Sequence, residues 1–392
     1  MRDLLRRLRA EWRLTATARE ERRRDARGLP TTDPGIERFV DEGIEWLGRA
    51  QDNARTRDGG VSRDYSLLRG WNSSYPETTG YIVPTLLDYA RLRGVDEPRQ
   101  RARRMLDWFV RIQLPGGGFQ GGLVDATPVV PVTFNTGQIL LGLVAGVVAF
   151  DAYRDTAIDA ADFLAHSLDP DGCWRRHPTP FARPGEKAYE THVSWGLLEA
   201  DRVFPDRGYG EAALRQVRWA ITHQQPNGWV ARCCLNDPRH PLTHTLGYFL
   251  RGVVEAFRWS EDEVFLAAAR RTADGLLGCI DDEGRLPGRL DRNWRAVVDW
   301  VCLTGSVQIA HSWLLLYRYT ADTAYRDAAY RANRYVRRSM HVDGDPARRG
   351  GIKGAFPVDG GYGGYEFLNW AVKFAIDANL LEQAIRDGAG GV

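Results

Sequence analysis

The chain has 392 residues, with 53 Lys and Arg against 51 Asp and Glu, so its net charge of +2 gives no overall pull toward nucleic acid. At 43% hydrophobic it is able to bury a large core, which excludes disorder as the dominant state. Five cysteines form no disulfide framework and fit a reducing compartment, and the longest apolar run, Ile139 to Phe150, is 12 residues and too short to span a bilayer.

The first 28 residues hold ten Arg and five acids, a local charge of +5 that leaves −3 for the rest. They show no apolar signal-peptide core, so a cytoplasmic protein is expected. Leu4, Leu5, Leu8 and Trp12 recur at helical spacing among Arg2, Arg6, Arg7, Arg9 and Arg13. This pattern predicts a basic amphipathic helix within residues 1–32. Such a helix either rests on an anionic membrane face or packs on its own domain. The short stripe and the acids Glu20, Glu21 and Asp25 favour packing.

From about residue 33 to 392 the chain repeats. Glycine-marked turns occur at Asp58-Gly59-Gly60, Gly116-Gly117-Gly118-Phe119, Asp171-Gly172-Cys173-Trp174, Asn227-Gly228-Trp229, Asp282-Glu283-Gly284 and Gly350-Gly351. The steps from Gly60 through Gly118, Gly172, Gly228, Gly284 and Gly350 are 58, 54, 56, 56 and 66 residues. A second marker keeps time with the first: Thr79-Gly80, Thr136-Gly137, Thr191-His192, Thr243-His244 and Thr304-Gly305, at steps of 57, 55, 52 and 61. Such a period marks a repeated supersecondary unit.

The segment before each glycine turn is amphipathic, as in Glu97 to Gln113, Tyr153 to Leu168 and Gly210 to Gln224. The segment after it is apolar on nearly every side, as in Thr136 to Phe150, Thr243 to Phe257, Thr304 to Tyr317 and Phe367 to Leu381. Helices apolar all round are buried, and striped ones lie outside them. Six such pairs predict an all-α (α/α)6 toroid in one domain. All six glycine turns then lie at the end of the ring where the inner helices begin, and helix N-termini there favour polar or anionic ligands.

The residues at that end carry chemistry. Trp71, Asn72, Tyr75 and Glu77 precede or open the first inner helix, Asn135 and Gln138 the second, and Tyr189, Glu190, His192 and Trp195 the third. His244 and Tyr248 open the fourth, and Gln308 lies in the fifth. Tyr362, Tyr365, Glu366, Asn369 and Trp370 precede or open the sixth. Aromatic rings stack on sugar faces while amides and carboxylates bond hydroxyls, so a polysaccharide or oligosaccharide is the expected ligand. Glu77, Glu190 and Glu366 are the candidate acids and base, with His192 and His244 as candidate proton carriers. Trp71, Asn72, Tyr75, Asn135, Gln138, Tyr189, Trp195, Tyr248, Gln308, Tyr362, Tyr365, Asn369 and Trp370 are the candidate binding residues. Glycoside hydrolysis needs paired carboxylates, whereas a lyase or C5-epimerase needs a base for the uronyl proton and a group to neutralise the carboxylate. Cys233 and Cys234 with His240 and His244 make a poor zinc set, because adjacent cysteines strain to reach one tetrahedral ion. No metal or cofactor is expected, and no nucleotide-binding or Gly-x-Ser-x-Gly motif is present.

These repeated pairs and Gly-aromatic turns resemble the α/α-toroid superfamilies: six-hairpin glycosidases, toroid polysaccharide lyases and uronyl epimerases, and the squalene-cyclase and prenyltransferase repeat proteins. The turn Gln224-Gln225-Pro226-Asn227-Gly228-Trp229 is similar to the Gln…Gly…Trp repeat of triterpene cyclases, one residue short. The cyclases' Asp-x-Asp-Asp motif is absent, and Asp299 and Cys302 do not match the prenyltransferase zinc set. Trp71 to Tyr81 and Gly360 to Trp370 look like the toroid proteins that accompany bacterial polysaccharide genes. The resemblance implies a carbohydrate-active hydrolase for a uronic-acid-containing glycan. A lyase or epimerase, a non-catalytic glycan-binding protein, and a terpenoid cyclase or prenyltransferase remain open alternatives.

Overall fold

The computed structural model describes residues 14–388. Among these, the outer helices are α2 (Ile36–Asp52), α4 (Glu97–Ile112), α6 (Arg154–Ser167), α8 (Tyr209–Ile221), α10 (Glu263–Leu277) and α12 (Thr323–Ser339). The inner helices are α3 (Pro76–Arg93), α5 (Thr133–Phe150), α7 (Thr191–Val203), α9 (Thr243–Ser260), α11 (Leu303–Thr320) and α13 (Asn369–Arg386). Each inner helix packs on the next, and α13 returns to α3, so the ring is closed. The fold is the expected (α/α)6 toroid. In α4 the buried residues Ala102, Met105, Leu106, Trp108 and Phe109 form one stripe, whereas α5 buries every residue from Thr133 to Val144.

Each inner helix turns sharply into the following outer one. The left-handed residues Gly94, Asp151, Glu261 and Ala321 end four of the inner helices. The sixth such pair joins α13 to α2, from opposite ends of the sequence. The long connectors run the other way, from outer to inner helix, and gather at the inner N-termini. Their glycines are required by close approach. Gly117, Gly172, Gly228 and Gly284 have φ between +83° and +91°, and a Cβ on any of them would strike a backbone carbonyl of the next outer helix. Gly350 does the same against Glu42 of α2, so the sixth turn leans on the first outer helix.

Two of the five threonine markers tie the preceding glycine turn to the inner helix. Thr79 and Thr136 lie inside the first turn, where their hydroxyls donate to the Tyr75 and Val132 carbonyls. The same oxygens accept the N–H of Val61, 3.0 Å away, and of Phe119, at 2.9 Å. The two markers stay in phase because the residue just past each of these glycine turns is bonded to the threonine. The neighbouring Gly80 and Gly137 let inner helices touch; a Cβ on Gly80 would meet the Ile139 backbone, and one on Gly137 would meet Val193.

Short strands brace the rim. β1 (Asp64–Ser66) pairs antiparallel with β2 (Gly70–Trp71) and with β5 (Glu366–Leu368), so the first and last connectors are sewn together. β3 (Val301–Cys302) pairs with β4 (Ala355–Phe356). The stripe from Leu4 to Trp12 lies outside the described residues. The described part of the N-terminal segment forms α1 (Ala16–Asp25), capped by the Thr15 hydroxyl. Glu21 and Asp25 of α1 are buried and meet the buried Lys353 ammonium at 2.8 and 2.5 Å. This helix is fastened to its own domain by ion pairs.

Candidate active site

The connectors and inner N-termini enclose a cavity of about 180 Å3 on the ring axis. Tyr75, Glu77, Tyr189, His244, Tyr248, Tyr362 and Trp370 line it, as the sequence pattern expects; Arg63, Phe134, Thr179 and Phe181 also line it. Glu77 is the single carboxylate among the lining residues. It sits in the first turn of α3, behind Pro76, and accepts a hydrogen bond from the Tyr75 hydroxyl at 3.2 Å. Burial among aromatic rings pushes its carboxyl up to about 7, against the opposing pull of the Tyr75 hydroxyl and the Arg63 charge. The group therefore titrates near neutrality, the range that suits proton transfer at physiological pH.

Two histidines flank the Tyr248 ring, with centroids 4.5 Å (His192) and 4.4 Å (His244) away. His192 Nδ1 lies 2.6 Å from Gln138 Oε1, and His244 Nδ1 lies 2.7 Å from Gln308 Oε1. An amide oxygen only accepts, so this arrangement puts the proton on each Nδ1 and leaves each Nε2 a lone pair. Burial lowers His244 to about 4 and holds His192 well below the usual range, where the Arg251 and Lys373 charges add to the effect. Both rings are neutral at physiological pH. Gln138 and Gln308 thus orient histidines through their oxygens, while the Nε2 atoms of both and the Asn135 Nδ2 are buried without a protein partner.

His192, Asn135, Gln138 and Gln308 stand behind this cavity without lining it, and the remaining expected residues lie elsewhere. Glu190 lines a separate cavity of about 740 Å3 with Lys187, Arg175 and Arg183, under the connector of residues 168–190, and burial raises it to about 8. Glu366 lies on β5 and is gripped by Arg63 and Arg69, each at 3.1 Å. The three carboxylates therefore do not form one set, because residues near the same helix end face different sides of the rim. Trp195 lies a turn further down α7, under the Arg251 guanidinium at 3.9 Å, and lines a groove along the C-terminal halves of α3, α5 and α7. Trp71 and Asn72 line a neighbouring cleft. Asn369 donates to the Ser62 carbonyl at 2.9 Å, and Tyr365, at φ +61°, helps shape the turn before β5.

Arg63 is the main residue the sequence pattern misses. It stands among the buried polar residues Ser62, Asp64 and Ser66 of the first connector, a run of burial that alternation alone does not announce. Phe181, an exposed aromatic ring in the proline-rich stretch Pro178 to Pro184, is a weak but readable signal.

No protein-family model and no curated protein matches the sequence, but solved structures share its fold. An unsaturated glucuronyl hydrolase specific for heparin superposes with a TM-score of 0.72 at 14% identity, over 91% of this chain and 99% of its own. The unsaturated glucuronyl hydrolase of Bacillus sp. GL1, responsible for the degradation of glycosaminoglycan, gives 0.70 at 16% identity, over 91% and 98%. The cellobiose 2-epimerase of Bacillus thermoamylovorans gives 0.68 at 12% identity, over 89% and 99%. At these identities the likeness establishes the toroid.

Proposed function

We propose that this protein is a carbohydrate-active hydrolase that releases a terminal uronyl residue from a short acidic saccharide, with Glu77 as its acid. The observation that carries this reading is the lone carboxyl in the axial cavity, held at about 7 by burial. Hydrolysis of an ordinary glycoside calls on two carboxyl groups, one on each side of the bond. An unsaturated uronyl residue is different, because its C4=C5 bond is an enol ether. One acid suffices: the protonated Glu77 delivers its proton to C4, and positive charge develops at C5 and the ring oxygen. Water adds at C5 and returns a proton to the Glu77 carboxylate. The hemiketal so formed opens and expels the sugar or alcohol held at C1. The Tyr75 hydroxyl steadies the carboxylate between these steps, and Arg63 at the cavity wall offers a cation for the uronyl carboxylate. The ring-shaped likeness to unsaturated glucuronyl hydrolases supports the same substrate class.

The test is turnover of unsaturated uronyl disaccharides beside saturated aryl uronides. The wild-type chain should consume the former, seen as loss of the double-bond absorbance, and Glu77→Gln should lose on the order of 10²–10⁴-fold in kcat. Full activity of Glu77→Gln with an intact fold would refute the assignment.

A second reading rests on His244, which lines the axial cavity against Tyr248. Its Nε2, left with a lone pair by the bond from Nδ1 to Gln308, fits removal and return of a proton beside a carbonyl, the chemistry of an epimerase. Deuterium uptake from D2O into a recovered reducing sugar would favour it over hydrolysis.

A further inference from the structure

A cleft of about 540 Å3 opens beside the axial cavity, and Arg63, Tyr75 and Phe181 belong to both walls. The axial cavity, at about 180 Å3, is smaller than the roughly 300–1,000 Å3 of ordinary ligand pockets. A saccharide longer than its terminal residue must therefore extend into a neighbouring space. The cleft is lined by three arginines, Arg55, Arg63 and Arg69, and by no carboxylate. The other neighbour is lined by Arg175, Arg183, Lys187 and Arg232 with Glu186 and Glu190, and it meets the axial cavity at Thr179 alone. The shared wall of three residues therefore makes the cleft the broader exit.

Each arginine of the cleft is held by acids outside its lining. Arg55 donates to the Ser73 hydroxyl at 2.8 Å and meets Asp125 at 3.3 Å. Arg63 spends one nitrogen on Asp64 at 2.7 Å and Glu366 at 3.1 Å, and Arg69 reaches the other oxygen of Glu366 at 3.1 Å. A guanidinium carries five donors in a fixed fork, so these bonds orient it without exhausting it. The Trp71 ring forms another wall and is itself fixed, with Tyr65 at 5.0 Å and Trp46 at 5.3 Å. Fixed cations beside a fixed ring suit an anionic sugar, whose face stacks while its charged oxygens take the forks.

We propose that this cleft is a subsite for an anionic sugar, bearing a carboxylate or a sulfate ester, joined to the residue held at Glu77. The inference rests on the reading of the Glu77 cavity given above and adds what the second residue of the substrate must carry. Arg55 and Arg69 are its specificity-determining residues.

The experiment uses the full chain and unsaturated disaccharides with the same terminal uronyl residue and a second residue that is neutral, sulfated or carboxylated. Wild type should show a lower KM for a charged second residue, and the sulfate and carboxylate arms show which anion fits. Arg55→Gln and Arg69→Gln should each raise KM for the charged substrate on the order of 10-fold, well beyond any rise for the neutral one. Added salt should reproduce part of the effect, because both side chains reach solvent. An unchanged KM for the charged substrate, or an equal rise for the neutral one, would overturn the subsite. If wild type turns over no disaccharide, the hydrolase reading fails by itself. The subsite is then judged by calorimetry: charged disaccharide binding that weakens in Arg69→Gln supports it, and equal or absent binding overturns it.

Discussion

Replacing Glu77 by Gln should make the protein more stable at alkaline pH while disabling it. In the folded chain the carboxyl titrates at about 7, against 4.5 when free of its surroundings. Because the folded value is the higher one, the native state keeps a proton that the unfolded chain sheds between those two values. Stability therefore falls as pH rises through that window, and the loss is complete above about 7. At 1.36 kcal/mol per pH unit the 2.5-unit gap corresponds to about 3 kcal/mol. A glutamine never ionises, so the variant escapes that loss. Urea unfolding of both proteins at pH 5 and pH 8 measures it. The stability difference, variant minus wild type, should grow by about 2.5 kcal/mol between the two, since part of the loss is already present at pH 5. A difference that is the same at both values would refute the claim that the folded chain holds this carboxyl near 7.

The rate should follow the same group: kcat/KM is expected to fall tenfold per unit above pH 7, and Tyr75→Phe, which removes a hydrogen bond to the carboxylate, should move that limb upward by roughly 0.5–1 pH unit; a profile recorded from pH 5 to 9 checks both. Gln138→Leu and Gln308→Leu should release His192 and His244 from a single tautomer, visible as mixed ring-nitrogen signals in 15N NMR where wild type shows only the Nδ1–H form. Lys353→Met takes from the buried Asp25 its ion-pair partner, while Glu21 keeps Arg24, Arg348 and His341, and should cost about 3–5 kcal/mol in urea unfolding at pH 7. Gly228→Ala forces a side chain into a left-handed backbone against the Arg271 carbonyl, and should cost about 2–4 kcal/mol by the same measurement.

The ring was legible in the sequence because its period is enforced by contact. A glycine turn leans on the next outer helix in each repeat, and in the first two repeats the residue after it also bonds a threonine of the inner helix. Glu77 was legible as a carboxyl at a helix start. Glu190 and Glu366 looked equivalent to it, yet the first belongs to a 3-10 turn before α7 and the second to a strand whose next residue, Phe367, is buried. Which way a side chain faces just before a helix depends on the connector, and the connectors do not repeat. Trp195 misled for another reason: its ring packs on His192, 5.2 Å away, and under Arg251, on the side of α7 that lines the groove beside α3 and α5. Arg63, Thr179 and Phe181 arrive from connectors far apart in sequence, so only the closed fold brings them together.

The pairing of α13 with α2 bears on how the molecule is made. During synthesis the first outer helix emerges without the inner helix it will lean on, and five hairpins must wait as an open arc. Arg63 gains Glu366, and β1 gains its edge partner β5, only when the carboxyl-terminal stretch leaves the ribosome. A product that stops short of β5 would lack the Glu366 partner of Arg63 and the edge partner of β1, and would leave Glu77 in a half-built trough open to water.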